Sequence, residues 1–386
     1  MIHRPHRQSP NPSARGRIGA RLLSLLVPAT LMLANPGCDQ SPQPSSTTAT
    51  EASKELPPQP VSESVRAAWS FYHIHGVDAL AQAVACVNEL KSSVATLIKA
   101  TEMASLDNAR NQLARCKNRY LVTRVFVAAD DKARAAMDSL HQKIAAPLDM
   151  PGFIDAVPGY PYSGIVNDTS LPITRDELLN QHGLTDVSDV SLGFSVIEFL
   201  LWGIHAQQPE AEPRLLEDFM AKTSWDSGDY ELGLVELDIT EHPQNRRRRY
   251  LEMAVMLVEE HLNQLATDWN KHTQPPQYLS AADRLAEQIK TRIKERLSAA
   301  NAAGDETLLA TLLPLFTLDD NQGSDASHFI QWLKLSNTVP QEPDALSVIR
   351  DAEIPLSTKY SALQSLLGVT DPQNADAPTD DETLKP

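Results

Sequence analysis

The stretch that decides the fold is NRRRRYLEMAVMLVEEHLNQLATDWN, residues 245–270. Its apolar residues recur three and four positions apart, which is the spacing of one face of an α-helix. They are Leu251, Ala254, Val255, Leu257, Val258, Leu262, Leu265 and Trp269. Hydrophobic residues make up 42% of the chain but aromatic residues only 5%. Because Ala and Leu also outnumber Val and Ile, helix is favoured over sheet. The sequence therefore predicts an all-α fold.

Helical spacing continues on both sides of this stretch. It predicts helices over residues 65–101, 106–129, 131–146, 174–181, 209–221, 279–299, 304–315, 326–335, 343–351 and 357–367. We expect these helices to form two bundle halves packed together, over residues 63–205 and 206–370. The last segment, 371–386, is polar and is predicted to be disordered.

One long segment between the helices has a different composition. Residues 151–174 contain four prolines and three glycines, too many for a helix. The segment is also too apolar for a disordered linker. We expect an ordered irregular segment, and a loop of this length inside a domain is usually functional or packed over something.

The N-terminus is typical of an exported protein. Residues 1–37 carry five arginines and no acidic residue, and the apolar run LLSLLVPATLMLA is shorter than the roughly 20 residues that span a bilayer. The run ends in NPGC, which predicts a lipoprotein signal over 1–37 and lipidation of Cys38. A plain cleaved signal and an uncleaved anchor are the alternatives. Residues 38–62 are rich in Pro and Ser and would form a disordered tether. The prediction is a periplasmic lipoprotein of the cell envelope, anchored to the outer or the inner membrane.

The charge of the exported chain argues against nucleic acid as a partner. Removing the five arginines of residues 1–37 leaves 29 basic and 50 acidic residues, a net charge of −21. Such a surface repels phosphate backbones and favours solubility.

Two cysteines remain beyond Cys38. Cys86 and Cys116 fall in neighbouring predicted helices, at matched distances from the turn between them. Because an envelope compartment permits disulfides, the two residues are either paired or buried as free thiols.

A second stretch, GFSVIEFLLWG at residues 193–203, places polar groups in an apolar helix. Ser195 and Glu198 are three residues apart and share a helix face. A carboxylate in such surroundings requires a partner, or its pKa shifts.

Other polar residues carry weaker signals. The chain has no nucleotide-binding loop, nucleophile elbow or H-E-x-x-H helix. His73 and His75 are two residues apart and point to different sides of a helix. Asp325 and His328 could form a second polar site, although a local pair is the simpler interpretation. Residues 246–249, all arginine, open a helix where cations oppose the macrodipole, so some of them should have carboxylate partners.

The stretch at 193–203 resembles the signature of the imelysin family, G-x-H-x-x-E followed by F-L-L-W-G. The segments APLD, FID, SGIVND, LPIT, RRRRYL and LLGV are also similar to that family. The resemblance implies an all-α fold of two helix-bundle halves, a periplasmic or outer-membrane location, and a link to iron regulation and uptake. Some members are described as metallopeptidases that use the motif's His and Glu as metal ligands.

This chain departs from the family pattern at the proposed ligands. Ser195 stands at the His position, while Gly193 and Glu198 match. A serine hydroxyl is a poor ligand for zinc or iron compared with imidazole. His205 stands where the family often has Asp, so Glu198 and His205 could form a relocated ligand pair if the helix continues that far. The alternative is a hydrogen-bonded polar patch. Lys117 and Arg124 also replace the family's Arg and Glu.

These observations predict a lipid-anchored, non-catalytic binding protein related to iron or metal handling. Iron or zinc would bind weakly, and the other partner would be an envelope protein. A metal-dependent, peptidase-like enzyme of the same fold is the alternative, and a purely structural partner protein is the third possibility.

Overall fold

The architecture is built from helices of very different lengths. The computed structural model describes residues 57–226, 238–303, 312–316, 323–333, 345, 348–349 and 355–367. The α-helices are α1 (Glu63–Lys99), α2 (Met103–Thr123), α3 (Asp131–Ala145), α4 (Arg175–Gln181), α5 (Phe194–Trp202), α6 (Pro243–His272), α7 (Leu279–Ala303), α8 (Gly323–Trp332) and α9 (Leu356–Leu367). Within these residues extended pairing is limited to two isolated bridges, Pro60 with Tyr278 and Val157 with Tyr160. The all-α prediction is confirmed.

The helix predicted from residues 245–270 forms the centre of the packing. Helix α6 begins with Pro243 in its first turn, where a missing N–H removes no helical hydrogen bond. It packs against α1, α3 and α5, and the apolar residues that predicted it are buried. The side chain of Trp269 on α6 packs directly against α1 at Gly76. An added Cβ at Gly76 would lie 2.5 Å from the ring of this buried tryptophan.

This close approach gives a stability prediction. Gly76→Ala should lower the free energy of unfolding by about 1–3 kcal/mol, because the overpacking against Trp269 exceeds the gain in helix propensity. Denaturant unfolding measures it. The control is Gly152→Ala, whose new Cβ would meet Val157 at an ordinary 3.4 Å. Equal stability of the two variants would contradict the tight α1–α6 contact.

Helices α1 and α2 form a hairpin with a short connection. Ser62 caps α1 by accepting from the N–H of Val65, and Glu102 and Ser105 form a capping box at the start of α2. Cys86 and Cys116 join the two helices through a disulfide, with their Cα atoms 5.4 Å apart. The paired alternative is therefore the one that the structure forms.

Helix α2 ends six residues before the predicted end at Ala129. The side chain of Tyr72 on α1 explains the early end, because its hydroxyl donates to the carbonyl of Val125 at 2.8 Å and accepts from the N–H of Val127 at 2.6 Å. These bonds satisfy backbone groups that a longer helix would have paired internally.

The predicted helix over 209–221 is wrong. The structure has only a short 3₁₀ helix there, Leu216–Phe219. Arg214 accounts for the difference, because its N–H bonds the carbonyl of Trp202 while its guanidinium reaches the buried carboxylate of Asp155. These long-range bonds hold the preceding backbone in a non-helical path.

The irregular segment over 151–174 consists of turns and one 3₁₀ turn, Pro151–Phe153. The segment is partly buried, and its residues Ile154, Ile165 and Val166 belong to the core. Gly164 is required by geometry, since it has a φ of +85° and an added Cβ would meet the carbonyl carbon of Ile154 at 2.4 Å.

Several predictions concern residues outside those described. The signal over 1–37, the lipidation site Cys38, most of the tether over 38–62 and the tail over 371–386 are among them, as are most residues of the helices predicted at 304–315 and 343–351. Contacts place the described residues from Pro57 onward in one compact unit, and the boundary between halves at residue 205 stays a prediction. No helix within the described residues combines the length and apolarity needed to cross a membrane.

Candidate functional site

The motif helix α5 is inserted against the end of α3. Gly193 precedes the helix with a φ of +97°, and an added Cβ there would lie 2.6 Å from the carbonyl oxygen of Ile144. Only glycine tolerates both the backbone angle and the close approach. The apolar residues of α5 are buried: Phe194, Val196, Ile197, Phe199, Leu200 and Leu201. The motif's two polar side chains therefore project from a helix that is otherwise core.

Ser195 bonds the end of the neighbouring helix. Its hydroxyl donates to the carbonyl of Ala146 at 2.9 Å, and Ala146 is the C-cap of α3. Carbonyls at a helix C-terminus lack helical partners, so the hydroxyl satisfies a group that would otherwise need water. Ser195 thus has a structural hydrogen bond where the family signature has its first metal ligand.

Glu198 is paired with a cation from α2. Its Oε2 atom lies 2.6 Å from Nζ of Lys117, and the two side chains are 31% and 32% exposed. At this exposure the pair contributes up to about 1 kcal/mol to stability. Its chemical consequence is larger, because a metal ion approaching this oxygen must first displace the ammonium group.

His205 does not continue the face of α5. Gly203 ends the helix with a φ of +66°, and His205 lies in the following 3₁₀ turn, Gly203–Ala206. Its Nδ1 atom bonds the carbonyl of Ala211 at 2.7 Å. The condition under which Glu198 and His205 were expected to share a face is therefore not met. Across the described ranges, no three His, Cys, Asp or Glu side chains are grouped as metal ligands would be.

The other two candidate histidine sites are the pair His73 and His75 and the pair Asp325 and His328. His73 bonds the carbonyl of Trp269 at 3.1 Å and His75 that of Phe71 at 2.9 Å, so the two rings have different partners. His328 lies on α8, and its Nδ1 atom is buried without a hydrogen-bond partner. The side chain of Asp325 is outside the description, and the second polar site stays a prediction.

The most deeply buried charges lie beside the motif, between the irregular segment and α6. The carboxylate of Asp155 is fully buried and meets the guanidinium of Arg247 at 2.5 Å and that of Arg214 at 3.1 Å. It also accepts from the side chain of Asn167 at 3.3 Å and from the N–H of Ala156 at 2.8 Å. We call this set the Asp155 cluster.

Burial and charge act in opposite directions on this cluster. Burial alone would raise the pKa of the Asp155 carboxyl, but the guanidinium groups of Arg247 and Arg214 outweigh it and hold that pKa below its ordinary value. Burial lowers the pKa of Arg247, but the charge of Asp155 raises it by more, so the net change is an increase. Asp155 is therefore ionised at neutral pH.

Arg246, which precedes Arg247 on α6, is hydrogen-bonded to the irregular segment. It is fully buried and donates to the carbonyls of Val166 and Ile165, each at 2.8 Å, and to those of Asp168 and Leu171, each at 2.7 Å. The expectation that some of the arginines at 246–249 have carboxylate partners is met by Arg246 and Arg249 on Glu241, and by Arg247 on Asp155. Arg246 and Arg247 thus hold the irregular segment against α6.

Sequence reasoning missed the two partners that matter most, Lys117 and Asp155. Lys117 stood out only as a replacement for an arginine in the family pattern, and Asp155 only as part of the quoted FID segment. Each pairs with a residue more than 80 positions away. A cation near position 117 and an acid near 155, both in segments that resemble the family, were the available signals.

The family comparison agrees with this geometry. The imelysin family model, labelled Peptidase M75, matches residues 76–313, which is more than half of the chain and includes the motif, the irregular segment and α6. No curated protein matches the chain. With an all-α fold and the motif helix placed between the irregular segment and α6, this chain belongs to the imelysin family.

Proposed function

We propose that this imelysin-family chain is a lipid-anchored binding protein of the cell envelope whose motif does not catalyse peptide hydrolysis. The observation that carries the proposal is the contact between Lys117 and Glu198 at 2.6 Å. The ammonium group of Lys117 would compete with a metal ion for the Oε2 atom of this carboxylate. Ser195, which replaces the stronger ligand, is bonded to Ala146.

The chemistry of metallopeptidases explains why this arrangement argues against catalysis. A catalytic zinc is held by three protein ligands, mostly imidazole and carboxylate, and activates a water at a fourth position. Glu198 is the one motif side chain here of a suitable type. Iron or zinc would therefore bind weakly and exchange readily, which is compatible with a role in metal handling but not with a resident catalytic metal.

An assay of proteolysis tests the non-catalytic part of the proposal. The protein, purified without chelators, is incubated with unfolded casein and with zinc or ferrous iron. We expect no cleavage above that of Glu198→Ala. Metal-dependent cleavage that Glu198→Ala abolishes would support the alternative, a metal-dependent peptidase-like enzyme of the same fold. A protein that binds neither metal would favour the third possibility, a structural partner protein of the envelope.

The cellular location is proposed from the N-terminus and the disulfide. Residues 1–37 have the composition of an export signal and end before Cys38. The bond between Cys86 and Cys116 supports an oxidising compartment such as the periplasm. A lipid on Cys38 and the tether after it would hold the helical unit at a membrane surface.

Lipid anchoring predicts the behaviour of one variant. Cys38→Ala should move the protein from the membrane fraction to the soluble periplasmic fraction, because a cleaved or unlipidated chain has no other anchor in this proposal. Fractionation of cells followed by immunoblotting measures it, with Ser41→Ala in the tether as the control. Unchanged membrane association of Cys38→Ala would rule out the lipid anchor.

A further inference from the structure

Four arginines converge where α2 ends, on the side of Tyr120 away from the motif helix. Arg124, Arg134 and Arg292 line a partly open pocket together with His141, and Arg296 lies one helical turn after Arg292 on α7. We call this set the arginine pocket. It is separate from the pair of Lys117 and Glu198, and it stands out in a chain with a strong excess of acidic residues.

Two of these arginines are neutralised by nearby carboxylates. Arg134 pairs with Asp131 on the same helix. Arg292 lies 3.9 Å from Asp138 and 3.5 Å from Glu295, which are the distances of loose, solvent-screened pairs. These contacts account for half of the positive charge.

The other two arginines lack such partners. In the part of the chain that the structure describes, neither Arg124 nor Arg296 has a carboxylate within 4.0 Å. Arg124 makes one long bond, from Nη1 to the hydroxyl of Tyr120 at 3.4 Å. The Nε atom of Arg296 is buried without any acceptor. A buried guanidinium N–H without an acceptor in the protein is uncommon, so the Nε atom of Arg296 can donate to a bound group.

The pKa values of Arg296 and His141 are lowered by burial and by the positive charges around them. Burial lowers the pKa of Arg296 and the nearby charge of Arg124 lowers it further, while the charge of Glu295 acts in the opposite direction without reversing the decrease. Burial and the charges of Arg124, Arg292 and Arg296 lower the pKa of His141 to about 3. His141 is therefore neutral at physiological pH and bonds the Tyr120 hydroxyl at 2.9 Å. The dipole of α2 favours a cation at its C-terminal end. This accounts for the position of Arg124 but not for the unpaired Nε atom of Arg296.

We propose that the arginine pocket binds a carboxylate group of a small organic acid or peptide. The guanidinium fork matches the two oxygens of a carboxylate. The enclosed part of the pocket is about 10 Å³, room for about one water molecule, so a carboxylate would lie in the open mouth of the pocket, beside the guanidinium groups. Inorganic phosphate is bulkier and fits less well. This site is independent of the proposed role of the imelysin motif.

Acetate is the probe for a direct test. The midpoint of thermal unfolding is followed as acetate replaces chloride at pH 7 and constant ionic strength, because a ligand that binds the folded state raises that midpoint. We expect a rise for the native protein and for the control Arg284→Gln, an exposed arginine on α7. In Arg124→Gln and Arg296→Gln the apparent affinity should fall by about tenfold or more, since each loses a charge-assisted hydrogen bond.

The outcomes separate clearly. An equal rise in all four proteins, or no rise in the native protein, would overturn the proposal. A larger rise with inorganic phosphate than with acetate would overturn the assignment to a carboxylate. If Arg296→Gln does not fold, Arg296→Lys takes its place, because it keeps the charge and removes the fork. Native affinity in Arg296→Lys would then exclude bidentate recognition.

Discussion

Replacing Asp155 by Asn should destabilise this protein by about 3–5 kcal/mol, the range for removing one partner of a buried ion pair. The substitution keeps the shape of the side chain but leaves the guanidinium groups of Arg247 and Arg214 without their shared counter-ion, both nearly fully buried. Asp218 lies 3.8 Å from Arg247 and 4.0 Å from Arg214, and because its side chain is 38% exposed it replaces the buried counter-ion only in part. Urea unfolding of the full mature chain measures the change in the free energy of unfolding.

The control for this substitution is Asp176→Asn. Asp176 also pairs with an arginine, Arg175, at 2.8 Å, but its side chain is 85% exposed, so the loss should stay within about 0.5 kcal/mol. A loss below about 1 kcal/mol for Asp155→Asn would mean that the buried cluster does not hold the irregular segment.

The same cluster determines a pH dependence. Because the pKa of Asp155 is lower in the folded state than in the unfolded chain, its contribution is fully present above the unfolded value of about 3.9. It is lost as the pH falls through the lowered folded value. The native protein should therefore lose more stability between about pH 5 and about pH 2 than Asp155→Asn does.

Removing the disulfide should have a comparable effect. The double variant Cys86→Ala, Cys116→Ala should lose about 3–4 kcal/mol, because the bond closes a loop with a sequence separation of 30 residues and so restricts the unfolded chain. Reduction of the native protein provides a control without substitution and should give a similar loss. A loss below about 1 kcal/mol by both routes would show that the α1–α2 hairpin is held by its apolar contacts alone.

Local patterns in the sequence predicted the helices well where one apolar face decided the structure. Helix α6 was expected from Asn245 and begins at Pro243, and α3 was expected over 131–146 and ends at Ala145. The failures occurred where distant residues satisfy backbone groups. The hydroxyl of Tyr72 takes the place of helical bonds after Thr123, and Arg214 holds residues near 213 in a non-helical path.

The candidate site shows the same division. The motif's positions, the poor ligand at Ser195 and the importance of Gly203 could be seen in the sequence. The pairing of Glu198 with Lys117 could not, because α2 and α5 are brought together by tertiary packing across 81 residues. Spacing within one helix indicates which side chains share a face, but it does not identify what the neighbouring helix presents to that face.

A zinc titration tests most directly whether Lys117 and Ser195 prevent tight metal binding at the imelysin motif of this chain. Calorimetry at equal ionic strength compares the native protein with Ser195→His, with Ser195→His combined with Lys117→Met, and with Glu198→Ala. We predict weak binding without an equimolar end point for the native protein, because Lys117 is paired with the carboxylate of Glu198 and serine is a poor ligand. The double variant should bind more tightly than either the native protein or Ser195→His, since it restores an imidazole and frees the carboxylate. Tight, stoichiometric binding by the native protein that survives Glu198→Ala would contradict this account and place the metal elsewhere in the chain.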